Sequence, residues 1–166
     1  MSLDKIQLPL QIIPELYNNS IVVLDGEQPK SKTLKVDTFQ FLGGNKKNIL
    51  ILVENRNEMY LTDDDLQFLT GILNACGLSM ADVAIVNTYN LQHKILDLKN
   101  KFYPIILMAF GINWNVLGIE NTLPLYQSTI ISEINVINAQ PLHLLAKNVE
   151  EKKILWNCLK QIFIKK

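Results

Sequence analysis

Arginine is almost missing from this chain: of sixteen cationic residues only Arg56 is an arginine, and sixteen carboxylates bring the formal net charge to zero. Proteins that grip phosphate backbones or read base edges concentrate lysine and arginine on one surface, so direct nucleic-acid binding is not expected. Histidine occurs only as His93 and His143, and cysteine only as Cys76 and Cys158. No C-x-x-C or H-E-x-x-H spacing is formed, which excludes the common metal-ligand motifs, and neither a metal nor another cofactor is expected. Both cysteines fall on apolar helix faces and read as buried thiols, which places the protein in a reducing cytoplasm. The opening MSLDKIQLPL has no basic stretch followed by a long apolar run, so it is not expected to be a signal peptide. No apolar run approaches the roughly twenty residues of a bilayer-spanning helix.

Charge is also sparse, at 19% of residues against 48% apolar, a balance too apolar for extensive disorder. A chain of 166 residues can bury roughly two-thirds of its unfolded surface. The expectation is one α/β domain over residues 1–166, with 1–19 as a peripheral N-terminal segment.

What is present is organised around residues 47–87. Ile49 to Val53 reads ILILV, apolar at every position, as suits a strand buried on both faces. Thr62 followed by Asp65 is a shortened capping box. Asp63, Asp64 and Asp65 then fall in a first turn, where the helix dipole favours negative charge. Leu66, Leu69, Ile72, Leu73 and Cys76 recur at helical spacing up to Gly77, a residue suited to the left-handed C-cap. A second strand at 83–86 completes a βαβ unit with parallel strands.

Before this unit the pattern predicts a short helical piece at 14–17, a strand at 20–24, a loop at 25–32 and a second strand or edge hairpin at 34–42, closed by Gly43, Gly44 and Asn45. After it, Leu91, Ile95, Leu98 and Phe102 predict a helix over 90–101 that Pro104 stops. Residues 105–110 form a third parallel strand. Trp114, Val116 and Leu117 begin a helix or turn that Gly118 closes. Residues 119–132 read as loop, 134–137 as the fourth core strand, and Pro141 starts a short helix through Leu145. Asn148 with Glu151 caps a last helix whose stripe is Leu155, Cys158, Leu159 and Ile162, with Phe163 beside it.

Open α/β sheets bind ligands beyond the carboxyl ends of their strands. The loop after the first core strand, ENRNEMY at 54–60, supplies Glu54, Asn55, Arg56, Asn57 and Glu58, enough polar groups for acid/base work. It has no glycine and is no phosphate-cradling loop. A solvated loop explains the same residues, just as capping explains the three aspartates.

Three stretches carry a resemblance. They are the apolar strand with Leu61-Thr62-Asp63 and its helix; residues 105–118, an apolar strand ending in Phe-Gly and a short helix closing on Leu-Gly; and residues 141–162, a proline-started LL segment followed by a Leu-Trp helix. In order and spacing they resemble the uracil-DNA glycosylase fold, and within it most closely the psi-subunit family of the bacterial DNA polymerase III clamp loader. The resemblance implies a three-layer α/β/α sandwich with a four-stranded parallel core sheet, here with extra N-terminal strands. Active glycosylases of this layout carry a Gly- and Pro-rich loop with a catalytic Asp or Asn after the first core strand, and His-Pro-Ser after the fourth. This chain has ENRNEMY and Gln140-Pro141-Leu142 instead. Glutamine cannot become the cation that steadies a departing anionic base, so hydrolysis is not expected.

Gln7, Leu8, Leu10 and Ile12 resemble the peptide by which bacterial replication proteins hold the sliding clamp, a Gln amide on a pocket rim with aliphatic residues entering it. Packing of this segment on the domain explains the same residues. The implied function is a non-catalytic interaction subunit of the replication machinery, with clamp-loader subunits or the sliding clamp as partners. Two alternatives stand beside it. One is an atypical base-excision enzyme using Asn55, Asn57, Glu58 and Gln140; the other is a small-molecule-binding domain on the same fold.

Overall fold

An all-apolar strand can be satisfied only where both its faces are covered, and Ile49–Val53 occupies such a place, each of its five residues buried. The computed structural model describes residues 39–89, 91, 94–120 and 122–164, which belong to the unit Thr38–Lys166. Among these residues the chain forms β1 (Leu42–Gly43), β2 (Ile49–Val53), α1 (Asp63–Ala75), β3 (Val83–Asn87), α2 (Ile95–Phe102), β4 (Ile106–Phe110), a 3-10 turn (Trp114–Leu117), β5 (Ser128–Ile131), β6 (Ile134–Ala139), α3 (Leu142–Leu145) and α4 (Val149–Phe163). The fold is mixed α/β, and its six strands make one mostly parallel sheet in the order β1-β3-β2-β4-β6-β5. β2 runs parallel to β3 and β4, and β4 to β6, while β1 and β5 are antiparallel edges.

Alternate strand residues feed two separate cores, as a period of two requires. Ile51, Ile85, Met108 and Ile137 join Leu69 and Leu73 of α1 and Leu155 and Leu159 of α4. Leu52, Val86, Leu107 and Val136 join Leu98 and Phe102 of α2 with Trp114 and Leu117. Burial pushes the thiols of Cys76 and Cys158 upward, so both stay protonated at neutral pH beside the first core.

The local signals act as chemistry demands. Thr62 Oγ1 accepts the Asp65 amide at 3.3 Å, and Asn148 Oδ1 accepts the amides of Glu150 and Glu151. Glu151 does not reach back to the cap; its carboxylate accepts the Tyr126 hydroxyl at 2.6 Å. Gly43, at φ 110°, lies so close to the Val83 and Met80 carbonyls that a Cβ would collide with backbone. That approach seats β1 on β3.

Several expectations are corrected. Of the strand expected over 34–42, only Leu42 among the described residues is in a strand, because pairing with β3 begins there. The helix expected over 90–101 is Ile95–Phe102: the Asp97 carboxylate accepts the Lys94 amide at 2.8 Å and fixes the start, and Leu91 packs on the second core from the preceding turn. The loop expected over 119–132 contains β5, joined to β6 by the two-residue turn Ser132-Glu133. Both turn residues have positive φ, 49° and 71°, as a type I′ hairpin requires. The fourth core strand runs on to Ala139. The elements expected at 14–17, 20–24 and 25–32, and His93, lie outside the described residues. Among the described residues no helix is long and apolar enough to cross a membrane.

Candidate functional site

Chain order fixes where a ligand site can form. The connection leaving β2 leads to β3 on one side, and that leaving its neighbour β4 leads by way of the edge strand β5 to β6 on the other. Between these diverging connections the carboxyl ends of the strands leave a crevice. A cleft of about 600 Å³ occupies this position. Glu54, Asn55, Arg56 and Asn57 line it from the loop after β2, Thr62, Asp64 and Asp65 from the start of α1, Gly111 from the end of β4, and Pro141, His143, Ala146 and Lys147 from beyond β6. Gly111, at φ 63°, lets the end of β4 meet the Pro141 ring, which a Cβ there would strike. This contact joins the two loops at the base of the cleft.

The loop after β2 is held from a distance. The Asn87 side chain accepts the Asn55 amide at 3.0 Å and the Tyr89 amide at 3.1 Å. Its own amide donates to the carbonyls of Asn55, Glu58 and Met59 at 2.8, 3.1 and 3.2 Å. Asn55 Oδ1 in turn accepts the amides of Asn57 and Glu58 at 3.0 and 3.2 Å, closing an Asx-type turn. Arg56 lies 5.5 Å from the centroid of the Tyr89 ring, within cation–π range.

The expected site residues are therefore only partly together. Asn55 and Asn57 line the cleft; Glu58 is exposed and does not. Gln140 is half-buried, its backbone hydrogen-bonding the Tyr126 hydroxyl, and it is not in the cleft lining although Pro141 is. Leu142, which follows in that motif, is 3% exposed and belongs to the first core. Burial and the bond to Glu151 push the Tyr126 phenol well above its ordinary range, so it stays a neutral donor. The clamp-type residues Gln7, Leu8, Leu10 and Ile12 lie outside the described residues. Among the described residues no three His, Cys, Asp or Glu side chains converge as a metal site would require.

Sequence reasoning missed Asn87 as the organiser of this loop. The available signal was a polar residue closing an apolar strand at the sheet's carboxyl edge. The charges around the cleft are mixed, with Glu54, Asp64 and Asp65 set among Arg56, His143 and Lys147, and no ion pair forms between them. The chain matches no model of a known protein family, and no curated protein matches it.

Proposed function

We propose that this chain is a non-catalytic, psi-like interaction subunit of the DNA replication machinery, built as a three-layer sandwich on a uracil-DNA-glycosylase-like four-stranded parallel core and working in the cytoplasm. One observation carries the non-catalytic part. Of the positions where the resemblance would put catalytic groups, Asn55 has its Oδ1 taken by two backbone amides, Gln140 at the histidine position is not in the cleft lining, and Leu142 at the serine position fills the core, which leaves Asn57 alone unengaged in the cleft. A carbonyl oxygen that already accepts two amides is poorly placed to orient an attacking water. The three stretches that carry the resemblance fall on successive sheet units: β2 with α1, β4 with its 3-10 turn, and α3 with α4.

On this reading the purified chain releases no free base from uracil-containing duplex DNA above a protein-free control. Asn57 is the discriminating residue, because it lines the cleft and its side chain makes no hydrogen bond to the loop. Base release that disappears in Asn57→Ala would overturn the reading and restore the base-excision alternative.

A further inference from the structure

α1 and α4 cover the same face of the sheet and leave a second hollow between them, a groove of about 390 Å³ unconnected with the cleft lining. Leu155 and Leu159 lie in it, 3% and 1% exposed, with half-buried Phe68 on the α1 side and Trp156 on the α4 side. Two cations stand over these rings: Lys152 Nζ is 5.4 Å from the Phe68 centroid, and Lys160 Nζ is 5.3 Å from that of Trp156. Neither lysine pairs with a carboxylate of its own chain among the described residues. The groove is thus apolar within and cationic beside both of its aromatic walls.

Gly71 adds a feature that the packing of the described residues does not require. It sits inside α1, where glycine costs about 1 kcal/mol relative to alanine, yet a Cβ there would meet nothing within 4 Å. It lines the groove. The missing side chain widens the space above Leu155 and Leu159 without serving any contact among the described residues.

We propose that this groove docks an amphipathic helix of a protein partner, with apolar side chains entering between Phe68 and Trp156 and acidic residues on its flanks meeting Lys152 and Lys160. The volume suits a few side chains and lies at the low end for ligand sites, as expected when a helix lays one stripe into a groove. The charges decide against a second copy of this chain. A two-fold contact centred on the groove sets the lysines of each copy against those of the other, and like charges across an interface oppose association.

The test uses the full chain and a labelled synthetic helix with Leu and Phe along one face and Glu on the flanks, read by fluorescence anisotropy beside a twin carrying Lys for Glu. The Glu-flanked helix binds saturably and at least about tenfold more tightly than its twin. Lys152→Glu combined with Lys160→Glu reverses that preference. Gly71→Leu projects a side chain into the groove and weakens binding at least about tenfold, while the melting temperature does not fall because a helix-interior glycine is removed. Equal binding of the two helices, no saturable binding, or indifference to Gly71→Leu overturns the inference. So does a concentration-dependent dimer abolished by Gly71→Leu, which would make the groove a self-association surface. The inference rests on the reading of the chain as an interaction subunit. The two fail separately: loss of helix binding with replication proteins still captured removes only the groove, and the converse removes only the replication assignment.

Discussion

Leu155→Ala is expected to lower stability by about 2–5 kcal/mol, the range for truncating a buried leucine that leaves a cavity. Leu155 is 3% exposed and anchors the last helix, α4, in the first core. Its neighbour Ile154 is 50% exposed, so Ile154→Ala is the matched control and should stay within about 0.5 kcal/mol. Urea unfolding reads both. A lower midpoint for Leu155→Ala with an unchanged slope reports lost stability rather than a changed unfolded state. A midpoint equal to that of the parent would mean that α4 is peripheral and that the first core is wrongly drawn.

Asn87→Ala should cost about 1 kcal/mol, because the Asn55 amide and carbonyl are partly buried and lose their partner while the Glu58, Met59 and Tyr89 groups are exposed and can turn to water. The Asn55 and Tyr89 amides and three carbonyls depend on this one side chain. Asn87→Asp keeps the acceptor for the two amides but turns a carboxylate toward the carbonyls of Asn55, Glu58 and Met59, so it does not restore the loop. Hydrogen exchange is the direct readout: the amides of Asn55, Asn57 and Glu58 should exchange faster in both variants while those of β4 stay protected. Unchanged exchange in the loop would show that Asn55 closes its turn without Asn87.

Much of the fold was legible because its causes are local. The run at Ile49 to Val53 needs two covered faces, and the capping oxygens of Thr62 and Asn148 act on amides two or three positions away. β5 was not legible, because Ser132-Glu133 makes its hairpin turn without the Asn-Gly or Asp-Gly that normally marks two left-handed residues. The late start of α2 depends on the Asp97 carboxylate reaching the Lys94 amide, while the apolar spacing of Leu91 and Ile95 continues unbroken across that start.

The site divides in the same way. The loop after β2 was placed by a topological rule, which needs only strand order and direction. Its internal wiring was not readable, since the Asn87 bonds to Asn55, Glu58 and Met59 span 28 to 32 positions. Gln140 followed from the resemblance, whose spacing puts it next to Pro141 but says nothing of which of the two faces the cleft. The groove required two helices remote in sequence to be set side by side, and from sequence Gly71 was only another interior position of α1.

Affinity capture of the tagged full chain from a lysate of its native cell, with the captured proteins identified by mass spectrometry, tests the proposed role most directly. Clamp-loader subunits or the sliding clamp are expected among the captured proteins. If Gln7, Leu8 and Leu10 act as a clamp-binding peptide, deleting residues 1–13 removes that recovery while melting is unchanged, because a free peptide takes no buried apolar area with it. A capture that contains no replication protein would overturn the proposed role and leave the chain an α/β domain whose partner lies elsewhere.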